Sequence, residues 1–151
     1  MRKFLGIAAL LCLTALQSQA ADDKKDDKSD KDKLKGSWVM SSVEVMGKTI
    51  PIPDGKAATL VFDGDKVVMK DPEKKKDENG TFKIDDKKKP KEIDITGPKD
   101  NDPKVMETTK FIYELDGETL KLGMSGMGPK GDRPAGFTDK DAVVLIFKLK
   151  K

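Results

Sequence analysis

From Leu34 to Leu149 the apolar residues fall in short runs rich in Val, Ile, Thr and Phe, separated by Gly, Pro, Asp and Asn, and alternate with polar residues inside each run. Alternation with period 2 gives each strand one apolar face. Those faces are Leu60 and Phe62, Phe82 and Ile84, Ile93 and Ile95, Phe111, Tyr113 and Leu115, Leu120 and Leu122, and Leu145, Phe147 and Leu149. The pattern predicts eight strands near 37–46, 57–63, 66–70, 80–85, 92–96, 107–115, 118–124 and 142–149, with a short extended piece at 49–52. So many strands between 34 and 151 leave no room for a long helix. Asp63-Gly64 and Asp116-Gly117 mark two hairpins, because both positions tolerate positive φ. Segments 97–103 and 128–134, each opening on Gly-Pro and closing on Pro, read as loops, since proline has no N–H to give a ladder. Consecutive hairpins around one shared interior predict an all-β fold, an eight-stranded antiparallel up-and-down barrel. Its interior either fills with side chains or holds one small ligand.

The chain of 151 residues makes one domain. It contains no His, which removes the usual general base and the commonest metal ligand. The single Cys, Cys12, lies in an N-terminal apolar run. No enzyme, metal or cofactor is expected. Met1-Arg2-Lys3, the apolar run from Phe4 to Leu16, and small residues at Ser18 and Ala20 have the form of a signal peptide over 1–20, cleaved after Ala20. That run is too short to span a bilayer, so no transmembrane anchor is expected, and the destination is extracytoplasmic, periplasmic or secreted. Leu10-Leu11 before Cys12 argue against a lipoprotein signal.

Removal of 1–20 leaves 28 basic against 27 acidic residues, so a pI near 8.8 overstates any pull on nucleic acid, and none is expected as a partner. Residues 21–33, Asp and Lys in mixed order, read as a charged disordered linker ahead of a domain at 34–151. The interspersed lysines repel calcium there, and no Gly-containing ligand loop of the EF-hand kind is present.

Gly36-Ser37-Trp38 at the start of the first strand resembles the first signature of lipocalins, in which the Trp closes the barrel floor. The wider string includes Leu34 to Trp38, Leu60 to Asp65, Phe82 to Asp85, Pro90 to Asp94, Ile112 to Leu122, then Arg133-Pro134 and Phe137. It resembles the lipocalin-like domain family widespread in planctomycete bacteria. That resemblance implies a lipocalin-like barrel and an extracytoplasmic habit, and it brings no assigned activity and no catalytic residues. Phe111 stands where the family commonly has Gly, and Gly123 where a Cys often follows Leu-Lys-Leu. The resemblance further implies a cation lying over the floor Trp38, from Arg133 or from Lys148. Gly36, Trp38 and Arg133 are thus the expected barrel floor.

For a ligand, Tyr113 and Ser42 are the polar groups expected to orient it, with Met124 and Met127 as adaptable apolar lining at the mouth. Two thioethers at Met124 and Met127 suit Cu(I), but a third donor is missing. Lys74 to Lys76 and Lys87 to Lys89 read as solvated hairpin tips, with an anionic surface as the competing reading. Asn79-Gly80-Thr81 reads as a turn rather than a glycosylation site, and no local signature singles out Ser41, Ser42 or Ser125 as a nucleophile. The expected function is binding of a small apolar ligand in the barrel of a monomer. The alternative is a structural or interaction domain that meets another envelope protein and has a fully packed interior.

Overall fold

The computed structural model describes residues 28–99, 102–126 and 132–151. A five-residue helix α1 (Asp30–Leu34) precedes nine strands: β1 (Gly36–Val45), β2 (Lys48–Pro51), β3 (Thr59–Asp63), β4 (Lys66–Lys70), β5 (Glu78–Asp85), β6 (Lys91–Lys99), β7 (Asp102–Asp116), β8 (Thr119–Ser125) and β9 (Ala142–Leu149). From β3 to β9 each strand pairs antiparallel with the next in sequence. β1 joins β3 on one side and β9 on the other, from Trp38↔Leu149 to Val45↔Val143, which closes an eight-stranded up-and-down barrel. The extra strand β2 lies beside the upper half of β1, above β3. The expected strands and both Asp-Gly hairpins are present, with Gly64 and Gly117 at φ 62° and 56°.

The lower end of the barrel is packed solid. Trp38, Phe62, Phe82, Tyr113, Ile93, Leu120, Leu122 and Phe147 are buried together, and Phe62 meets Phe82 edge to face at 4.9 Å between centroids. Gly36 sits at φ 137°, and a Cβ there would come within 3.1 Å of Leu149 Cδ1, so only glycine lets the chain turn from α1 into the wall at this spot. Leu34 of α1 is fully buried beneath Trp38, whose indole Nε1 donates to the Leu34 carbonyl at 2.7 Å. Ser29 caps the helix by accepting from the Asp32 N–H.

This helix corrects the expected linker. Residues 30–33 are helical and docked on the barrel, because Asp30 finds partners on the wall that its sequence neighbours do not reveal. Residues 21–27 and the signal segment lie outside the described residues. The expected loop at 97–103 is also corrected: β6 continues through Gly97 and Pro98 to Lys99, and β7 begins at Asp102. The last rung between β5 and β6 is Thr81↔Thr96, so Pro98 lies beyond the neighbour to which its missing N–H would matter. The β6–β7 ribbon therefore projects past the rest of the wall at the upper end.

Outside the barrel, residues 132–141 form a strap across β6 to β9. Arg133 pairs with Asp94 at 2.5 Å and with Glu92 at 3.4 Å, both on the outer face of β6. The expected cation over Trp38 is thus absent: Arg133 is held on the outer wall, and Lys148 Nζ bonds the Thr119 hydroxyl. Phe137 lies over β8, where a Cβ on Gly123 would meet Ile112 Cγ1 at 2.8 Å and Phe137 Cδ1 at 3.2 Å. Glycine at 123 makes room for that ring.

The β1–β2 turn is built on Met46 and Gly47, at φ 51° and 72°. Positive φ at both central positions suits the twist of a tight hairpin, yet a methionine there is strained by about 1–2 kcal/mol. Met46 is 63% exposed and has little burial to lose. Met46→Asn is therefore expected to raise stability by roughly 0.5–1 kcal/mol in urea denaturation. Trp38→Ala, which empties the packed end, is expected to cost about 3–5 kcal/mol by far-ultraviolet circular dichroism. Unchanged melting would remove Trp38 from its role as floor.

Candidate functional site

The barrel interior has two unlike halves, and among the described residues a void opens in the upper one. In the lower half Tyr113 points inward and is buried, and its hydroxyl donates to Asp30 Oδ2 at 2.9 Å. The Lys91 ammonium donates to the same oxygen at 2.6 Å and lies 5.9 Å from the Tyr113 ring centroid. Burial, with the Asp30 carboxylate beside it, pushes the Tyr113 phenol far above its ordinary 10.0. Burial acts to raise Asp30 as well, but the hydrogen bonds from Lys91 and Tyr113 outweigh it and hold the carboxyl below 3.8. The hydroxyl expected to orient a ligand is thus engaged in fixing α1 to the floor.

In the upper half the same inward rows enclose a cup of about 280 Å³. Met40, Leu60, Met69, Ile95, Phe111, Leu145 and Phe147 supply its apolar wall. Lys74, Glu78, Lys99, Glu107 and Thr109 supply its polar rim, and Lys74 and Glu78 pair with each other at 2.8 Å. Gly97, which opposes Glu107 across the β6–β7 ladder, leaves open space beside that carboxylate, since a Cβ there would touch nothing within 4 Å. A fully packed interior is therefore not what the chain builds.

The other expected ligand residues stand away from the cup. A bulge between Met40 and Ser42 turns Ser42 out of the inward row, so that it opposes Ile146 while inward Met40 and Val43 oppose Phe147 and Leu145. Met124 does face inward on β8, packed against the core opposite Val143, but does not line the cup. Met127 lies outside the described residues. The signal for the true rim was present in the alternation itself, because Thr109 and Glu107 continue the inward row of Tyr113 and Phe111 upward.

A larger cleft of about 580 Å³ lies outside the barrel, between the β1–β2 hairpin and the strap. Its apolar surface comes from Met46, Phe137, Ala142 and Val144, and the rest is charged strap and hairpin. Volume alone does not make it the better site: the cup gathers apolar side chains from six strands inside the barrel, whereas the cleft has four apolar side chains on the outer surface. No group of His, Cys, Asp and Glu able to hold a metal occurs among the described residues, and no helix there is long and apolar enough to cross a membrane.

The floor network gives a pH signature. Asp30 stabilises the fold while ionised, so its contribution is complete above about pH 4 and is lost as pH falls through its lowered pKa. Tyr113 stabilises the fold while neutral, and that contribution is lost as pH rises above 10.0. Because Tyr113 is the sole tyrosine, phenolate absorbance reports it directly, with ionisation expected only on alkaline unfolding. Tyr113→Phe is expected to cost roughly 1.5–3 kcal/mol, the range for a hydrogen bond to a charged group, while leaving the cup unchanged. A Tyr113 that ionises near pH 10 in the folded protein would overturn the network.

Comparison with protein-family models, with curated proteins and with solved structures gives no match for this chain.

Proposed function

We propose that this protein is an exported binding module that takes a small, mainly apolar molecule into the upper half of a lipocalin-like barrel. The observation that carries the reading is the cup itself, an apolar void of about 280 Å³ that opens at one end above a sealed floor. A concave apolar wall with a few polar groups at its rim is the usual form of a small-molecule site. The cup stands at the lower edge of the usual range for such sites, about 300 Å³ and upward. An apolar cavity of about 150 Å³ holds one benzene, so the cup suits a branched aliphatic or a one- to two-ring aromatic body. Methionines 40 and 69 in the wall give it tolerance for shape. The signal-peptide form of 1–20 and the family resemblance support placement outside the cytoplasm.

A second reading, an interaction domain of the cell envelope, is favoured by Met46, Ile50, Val105 and Met106, which are exposed on the two hairpins at the upper end. The two readings differ in what fills the cup. Isothermal titration of the protein with indole is the test. A ligand of this size is expected to bind with Kd of about 0.1–1 mM, and Thr109→Phe, which places a ring in the void from its half-buried rim position, is expected to abolish the heat without lowering Tm. Absence of binding by the unaltered protein to indole and to similarly sized aliphatic alcohols would leave the interaction domain as the account.

A further inference from the structure

The rim of the cup carries two ionic groups of opposite sign that the protein does not use. Glu107 and Lys99 both line the opening, and neither side chain has a hydrogen bond or ion pair with another among the described residues. They do not pair with each other, although they belong to adjacent strands and line the same opening: Gly97 opposes Glu107, and Lys99, beyond a shift of register after Pro98, opposes Asp102. The other two rim charges, Lys74 and Glu78, are joined to each other. Glu107 is half-buried, so its carboxylate is partly withdrawn from water beside an apolar wall. Charged groups in that setting gain most from a charged hydrogen-bonding partner.

Resting on the binding reading above, the geometry points to the class of ligand: a small zwitterion with an apolar body, the chemistry of a free apolar α-amino acid. The body enters the cup against Leu60, Ile95, Phe111 and Phe147. Its ammonium donates to Glu107, in the space left open at Gly97, and its carboxylate accepts from Lys99. Each rim charge then has a partner of opposite sign, and the head group keeps its two charges at the wet edge while only apolar atoms are buried. A ligand bearing one charge satisfies one rim group and leaves the other unpaired. A neutral ligand satisfies neither.

Four probes with the same benzyl body separate these cases: L-phenylalanine, phenethylamine, 3-phenylpropanoate and 2-phenylethanol. Titrated against the full chain, L-phenylalanine is expected to bind at least about tenfold more tightly than each of the others, a difference of about 1.4 kcal/mol. Glu107→Gln is expected to bring it down to the affinity of 3-phenylpropanoate for the unaltered protein, and Lys99→Gln to that of phenethylamine. Both are exposed or half-exposed positions, so circular dichroism and Tm should not change. Equal binding of 2-phenylethanol and L-phenylalanine, or indifference of the amino acid to both variants, would overturn the zwitterion assignment while the cup remains a binding site. Binding of none of the four, together with no binding of indole, would overturn the cup as a site altogether.

Discussion

The structure depends on the closing of one sheet around one apolar interior, sealed at a single end. The β1–β9 ladder closes the eight-stranded wall and leaves β2 as a short outer strand beside β1. Once the wall is closed, the inward rows must either fill the lumen or leave it open, and the chain does each in a different half. Below, Trp38, Tyr113 and the Phe62–Phe82 pair fill the section, with Leu34 beneath them. Above, methionine, leucine and isoleucine give way to Thr109, Gly97 and Glu107, too small or too polar to meet across the lumen. Few residues of the chain are aromatic, and those that face inward are concentrated where the floor needs them.

The floor is held by polar bonds as well as by packing. α1 is too short to be stable alone, and its place is fixed by the indole bond from Trp38 to Leu34 and by the carboxylate of Asp30 between Tyr113 and Lys91. A cation does lie on an aromatic face at this end, but it is Lys91 over Tyr113. Arg133 is spent on the strap, where Asp94 and Glu92 neutralise it on the outer wall. With the strap so tied, Phe137 covers Ile112 and Val144, outer-face residues that would otherwise expose apolar surface.

Strand number, order and both Asp-Gly hairpins were legible in the sequence because period 2 and turn chemistry are local signals. α1 was not legible: within 28–33 no residue is apolar, and the segment folds only because of Tyr113 and Lys91, far along the chain. Nothing in the sequence marks the Met46-Gly47 turn, since methionine is no turn former, and Gly97-Pro98 reads as a loop because the sequence does not announce that Pro98 lies beyond the last rung to β5. At the site, alternation told which residues face inward but not their height above the floor. Tyr113 and Thr109 share one row, yet one is sealed under the packed half and the other opens on the cup. Ser42 was lost to a single bulge, which reverses every assignment made by parity beyond it.

The upper half of the barrel is an open apolar cup and the lower half is packed. Xenon enters apolar cavities of this kind without any polar recognition, so the methyl NMR spectrum of the protein under xenon pressure tests that division without knowledge of the ligand. Saturable shifts at the Met40 and Met69 methyls and at Leu60 and Leu145, with none at Leu34 or Leu120, are the predicted result. A spectrum unmoved by xenon at all of these positions, or shifts centred on the floor, would contradict it.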